Sequence, residues 1–247
     1  MFDPTRILAA RLRDLERAEA GLPAPDPVHD MRVAARRLRA ALRLLRLREF
    51  DRAVKKLQDA LGDVRDLQLQ IAWLKGRDAV LLRRRAPLLG KVERALQSAL
   101  QEWHAKTLPR LLDAAAQPAK LSDRRTRKML RKRLRRFEER LEAALSHPSP
   151  AALHRVRISV KQLRYLFELT RRDFPKPAKL LLAEFPPLQY ALGELHDLDG
   201  RLHLLRRSSD LFREQKEDRA RLARIVHAGL KHWEDLRIAP RARRMLR

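Results

Sequence analysis

The chain has 247 residues, 45% of them hydrophobic, and carries 57 Lys+Arg against 31 Asp+Glu for a formal net charge of +26. That length and apolar share support a sizeable core, while charge so one-sided repels itself in a compact fold and points to a polyanionic partner: nucleic acid, polyphosphate or an anionic membrane surface. The absence of cysteine excludes disulfides, thiolate metal sites and cysteine nucleophiles, and no apolar run approaches the roughly 18 residues of a transmembrane helix, so no membrane insertion is expected.

The N-terminal stretch lacks the apolar core of a signal peptide, and Asp3, Asp14 and Glu16 are foreign to an organellar transit peptide. A cytoplasmic location is therefore expected. Asp3-Pro4-Thr5 reads as a helix start, and Gly21 with Pro23, Pro25 and Pro27 as a stop and linker. A second helix is predicted from about Pro27 to Leu47 and a third from Glu49 through Gly62 to about Lys75. Another covers Leu81 to Lys106, with a short one after Pro109 and a break over Gln117 to Ser122. Ser122 or Asp123 caps a long helix to about Leu145, and a turn at His147-Pro148-Ser149-Pro150 leads to a helix over Ala151 to Arg172. Pro175 and Pro177 are predicted to break the chain and Pro186-Pro187 to interrupt or kink it. Helices over Leu188 to Arg207 and Ser209 to Trp233 complete an all-α reading without strands.

The order of elements repeats. VHDMRVAARRLRAALRLL from Val28 aligns with LHRVRISVKQLRYLFELT from Leu153 at a constant offset of 125 residues, His154 against His29. Arg32 then matches Arg157, Arg36 matches Lys161, Leu38 matches Leu163 and Arg39 matches Arg164. Downstream, LGDVRDL at Leu61 aligns with LGELHDL at Leu192, pairing Gly62 with Gly193 and Asp66 with Asp197. The expected architecture is two duplicated antiparallel helical bundles, over 5–116 and 122–235, related by pseudo-twofold symmetry within one domain spanning 1–247.

Within the first copy, Val28, Met31, Ala35, Leu38, Leu42 and Leu45 form an apolar stripe at helical spacing. His29, Arg32, Arg36, Arg39 and Arg43 follow one residue later, about 100° around the helix, so a basic stripe flanks the buried one. The second copy repeats this with Leu153, Val156, Val160, Leu163 and Phe167 beside His154, Arg157, Lys161 and Arg164. Arginines three and four apart repel, and stability alone would have interspersed glutamates. A solvated basic face is the bland alternative, but duplication of the stripe in one register argues against it. Guanidinium forks in a row suit the oxygens of a linear phosphate polymer. A third basic segment places Arg124, Lys128, Arg131 and Arg135 on one face of the helix before the second histidine. Lys56 is taken as a further contact, and Lys55, Lys176 and Lys179 are weaker candidates.

The two histidines lack companion metal ligands at i+3 or i+4, so neither a metal site nor any other cofactor is expected. Asp66 and Asp197 are expected to pair with the arginines, and Gly62 and Gly193 to allow close helix packing. Nothing in the sequence resembles a phosphate-binding glycine loop, a nucleophile elbow or a two-metal carboxylate cluster, and no enzymatic activity is expected.

These two histidine helices and the two LG-x-x-x-DL elements together resemble the CHAD domain, the conserved histidine α-helical domain, over about Thr5 to Trp233. The resemblance implies two antiparallel four-helix bundles related by pseudo-twofold symmetry with a basic groove or pore between them, binding of inorganic polyphosphate and, in bacteria, association with polyphosphate granules. The ligand contacts it implies are His29, Arg32, Arg36, Arg39, His154, Arg157, Lys161 and Arg164. Phosphate or sulfate would occupy the same positions in crystals. Two departures stand out: Gln162 replaces Arg37 and Glu168 replaces Arg43, leaving the second copy less basic. Nucleic acid is the second candidate partner, favoured by charge but poorly served by a 5% aromatic content.

Overall fold

The computed structural model describes residues 4–116 and 122–247, and among these every regular element is helical. The chain forms two compact units, Met1–Leu121 and Ser122–Arg247. The expectations placed on Asp3 and on 117–121 lie outside the described residues.

In the first unit, α1 (Pro4–Glu19), α2 (Pro25–Leu44) and α3 (Arg48–Leu74) are followed by a nearly unbroken helical rod. The rod comprises α4 (Ala79–Arg85), a 3-10 turn (Ala86–Leu88), α5 (Leu89–Glu102), a π turn (Trp103–Thr107) and α6 (Leu108–Ala116). α2 packs between α1 and α3, α5 lies on α3, and α6 returns to α1, closing a four-rod bundle. The sequence predicted two separate helices where this rod runs. The π turn carries the chain from α5 into α6 with Trp103 buried, so that Pro109 sits in the first turn of α6, where its missing N–H costs little. Pro25 and Pro27 likewise stand inside the first turn of α2 rather than in a linker.

In the second unit, α7 (Asp123–Ser146), α8 (Pro150–Thr170), α9 (Pro175–Leu204) and α10 (Asp210–Asp235) form the bundle, and α11 (Ile238–Arg244) packs on α7 and α9. Ser122, Ser149 and Ser209 cap α7, α8 and α10: each hydroxyl accepts from the backbone N–H three residues on, at 3.3, 3.2 and 3.1 Å. The short connections make neighbouring helices antiparallel.

The prolines of α9 do not interrupt the helix as expected. Pro175 and Pro177 open the helix instead of breaking the chain, since its first turn has no N–H to lose. Pro186 and Pro187 lie within a continuous 30-residue helix. Both face solvent, flanked by buried Phe185 and Leu188, and Phe185 stacks on Trp233 of α10 at 5.2 Å between ring centroids. Tertiary packing on the inner face overrides the local penalty on the outer one. α11 was not foreseen: only Ile238, Ala239, Ala242 and Leu246 are apolar and buried, too short a pattern to stand out beside its arginines.

Candidate polyanion-binding site

On α2, Val28, Met31, Ala35, Leu38 and Leu42 are fully buried. Leu45 is only partly buried, and Leu44 takes its place in the core because the helix ends there. The basic residues one position later sit at the edge of this core: His29 is exposed, while Arg32, Arg36, Arg39 and Arg43 are half-buried. α8 repeats the pattern, with His154 exposed and Arg157, Lys161 and Arg164 half-buried beside Val156, Val160, Leu163 and Phe167. In each unit the stripe thus lies along the seam with the next helix, α3 or α9.

The seams are organised around one arginine each. Arg39 Nε donates to Asp51 Oδ1 at 2.7 Å and its Nη1 to Gln58 Oε1 at 3.0 Å, both on α3. Arg43 Nε donates to the other oxygen of Asp51 at 2.9 Å. Burial works against the Asp51 carboxylate, yet hydrogen bonds and charge from Arg43 and Arg39 hold it below its ordinary pKa. In the second unit, Arg164 Nε donates to Glu168 Oε1 at 3.0 Å and its Nη1 to Gln189 Oε1 at 3.2 Å. Gln58 and Gln189 occupy equivalent positions in LQDALGDVRDL and LQYALGELHDL. Leu182 stands at the register of Asp51, and Glu168, at the position of Arg43, supplies the missing carboxylate from within α8. Two apparent losses of positive charge therefore have structural causes. Glu168 holds Arg164, and Gln162 accepts from Arg133 of α7 at 3.0 Å.

Near the helix starts, Arg32 Nη1 donates to Asp66 Oδ1 at 3.0 Å, the pairing expected for Asp66. The guanidinium lies over Gly62, whose hypothetical Cβ would meet Arg32 Nη2 at 3.5 Å. Gly62 thus seats an arginine and not a packed helix. Gly193 has nothing within 4 Å of a would-be Cβ, so the close-packing expectation fails there too. His154 lies beside His196, ring centroids 5.2 Å apart. His196 occupies the position of Arg65, which in the first unit bears on His29 electrostatically. All three imidazoles are pushed below their ordinary pKa. Burial is the leading cause for each, reinforced at His29 by Arg65 and Arg36, at His154 by Arg157 and Lys161, and at His196 by Arg157 and His154; Asp30 and Asp197 oppose the shift at His29 and His196.

Gln58, Gln189, Arg65 and His196 were missed by the sequence reading, although extending the second repeat leftward and reading its variable column exposes all four. Other candidates lie elsewhere. Lys56 pairs with Glu102 of α5 at 3.5 Å, away from the α2 row, and its counterpart in the second copy is Pro187. Lys55 pairs with Asp59 on its own helix, and Lys176 and Lys179 are exposed on the opening turns of α9. Lys128, Arg131 and Arg135 line a cleft with the C-terminal segment, and Arg124 is exposed at the start of α7. Among the described residues, no group of three or more His, Asp or Glu could hold a metal ion.

The CHAD domain family model matches residues 6–206. The chain belongs to the CHAD domain family. A solved structure, described as the CHAD domain from the plant Ricinus communis, superposes on 98% of this chain and 89% of its own with a TM-score of 0.62 at 23% identity. At that identity the likeness speaks for the CHAD fold alone. No curated protein matches the sequence. The duplicated stripes, LQ-x-AL elements and histidines all fall within the span matched to the family. Among the described residues, no helix is long and apolar enough to cross a membrane.

Proposed function

We propose that this CHAD domain is a non-catalytic binder of inorganic polyphosphate and that the duplicated seams α2/α3 and α8/α9 are its contact surfaces. The observation that carries the reading is the matched pair Arg39–Gln58 and Arg164–Gln189, each fixing a guanidinium at the same place in a basic row. Holding a long side chain in one geometry before a ligand arrives removes part of the ordering cost of binding. Half-buried arginines whose stems are shielded suit recognition of phosphate oxygens by the guanidinium. Stacking platforms for bases are scarce, with aromatic residues at 5% of the chain and Phe137, Phe167, Phe185 and Trp233 in the core. In a cell such binding would bring the protein to polyphosphate granules.

Competition on immobilised long-chain polyphosphate at near-physiological salt tests the assignment. Free polyphosphate is expected to displace the protein far better than duplex DNA of equal phosphate concentration. Equal displacement by DNA would overturn it. The paired substitutions Arg32→Gln and Arg157→Gln remove charge while keeping a donor for Asp66. They are expected to weaken binding on the order of 100-fold with helical circular dichroism unchanged.

A further inference from the structure

α9 carries an outward stripe that its own bundle does not use. Lys176, Lys179, Ala183, the pair Pro186 and Pro187, Tyr190, Glu194 and Asp197 recur three or four residues apart and so share one helix face. All are exposed except half-buried Glu194. Tyr190, at 71%, is the most exposed large apolar side chain among the described residues. The chain is 36% charged, yet Glu184 is the one charged residue between Leu180 and Gly193, and it turns aside to His232 of α10 at 3.8 Å.

The duplication provides an internal comparison. At the registers of Ala183, Pro186, Pro187 and Tyr190, α3 has Arg52, Lys55, Lys56 and Asp59, all exposed. There Lys55 is held by Asp59 and Lys56 by Glu102. A face that α3 keeps wet with charge has thus become apolar on α9, and two of the exchanges bring proline into a helix interior. Solubility and helix stability both argue against that change, so the apolar face answers to a contact outside the monomer.

The order of residues along the stripe identifies what covers it. Cations stand at its N-terminal end, carboxylates at its C-terminal end, and the spacings read the same in both directions about the proline pair. Antiparallel pairing of the stripe with itself therefore sets Tyr190 against Ala183 of the second copy, large against small. The same pairing sets Lys179 against Glu194 and Lys176 against Asp197, and a two-fold axis makes each match twice. None of these four charged side chains has an ion pair within the chain among the described residues. Lys176, Ala183, Tyr190 and Asp197 recur every seven residues, the period of helices that pack side by side along their length, here about 32 Å. With a net charge of +26, copies of this chain repel over most of their surface, and a nearly uncharged face with self-matching ends is where that penalty is smallest. A foreign partner would require no such self-match.

We propose that the outer face of α9 is a homodimerisation surface, on which two copies of this chain pack antiparallel about a two-fold axis at Pro186 and Pro187. Its apolar middle is smaller than the roughly 800 Å² per partner of a standard interface, so the dimer is reversible. The proposal does not rest on polyphosphate binding.

Sedimentation velocity of the full chain over a concentration series, with no polyanion present to bridge copies, tests it. The wild-type chain should show a monomer–dimer equilibrium. Ala183→Arg with Tyr190→Arg sets like charges against each other and should weaken association by at least about tenfold. Lys179→Glu alone should also weaken it, although that change lowers the net positive charge and would by itself favour contact. Adding Glu194→Lys restores opposite charges in the pair and should recover association. The substituted side chains lie outside the core, and unchanged helical circular dichroism shows that each variant folds. A wild-type chain that stays monomeric up to its solubility limit overturns the second copy as the occupant. Undiminished association in the double arginine variant overturns the surface, and failure of Glu194→Lys to rescue Lys179→Glu overturns the antiparallel pairing.

Discussion

At the scale of single residues, the histidines change meaning most between sequence and structure. As isolated letters they invite a metal, but each is surrounded by cations: His29 by Arg65, Arg36 and Arg32, His154 by Arg157 and Lys161, His196 by Arg157 and Lys161. Their depressed pKa values leave the imidazoles neutral at pH 7 in the anion-free protein. A bound polyanion reverses the field, raises those pKa values and draws protons in. Polyphosphate binding near pH 6.5 is therefore expected to take up protons and to tighten as pH falls, read by calorimetry in buffers of different ionisation enthalpy. Proton release on binding would contradict this picture. Without anion the sign is opposite for stability: the unfolded chain binds protons more readily, so the histidine contribution is complete above about pH 6.5 and declines as pH falls below it. The His–Arg rows were legible in the sequence because they recur at helical spacing. Their partners Gln58 and Gln189 carry no charge to draw the eye, and only extending the LG repeat leftward picks them out.

At the scale of elements, helix period and serine caps located most helices to within a few residues, as at Ser122 and Ser209. Proline misled where its surroundings decide the outcome. Pro175 and Pro177 start α9, and Pro186 with Pro187 is carried by buried neighbours in a helix that the local sequence argued against. Glycine misled in the same way, since duplication of the LG element suggested a shared packing need. With open space around its would-be Cβ, Gly193 costs helix stability without compensation. Gly193→Ala is expected to stabilise the protein by about 1 kcal/mol in urea denaturation. Gly62→Ala should be tolerated too, because its methyl would meet the Arg32 guanidinium at an ordinary contact distance. A loss of stability in Gly193→Ala would show that the glycine serves a contact after all.

At the scale of the whole molecule, the formal charge of +26 identifies a class of partner, and the duplication identifies where to look for it. What the alignment could not reveal is that equal motifs are fastened differently. In the first unit, Arg39 and Arg43 both grip Asp51 across the α2/α3 seam. In the second, the carboxylate holding Arg164 belongs to its own helix, and the bond across the seam goes to the neutral amide of Gln189. Acid therefore removes a carboxylate clasp from the first seam, while its Arg39–Gln58 bond remains. Asp51 titrates below its ordinary value of 3.8, and its contribution, complete above that value, disappears as pH falls through the folded pKa. The Arg164–Gln189 bond across the second seam involves no titrating group. Hydrogen exchange near pH 3 is expected to accelerate in α2 and α3 ahead of α8 and α9, an order that simultaneous loosening would refute. The repeated signature thus conceals two mechanical joints: both carry an arginine–glutamine latch, and the first adds a carboxylate clasp from α3.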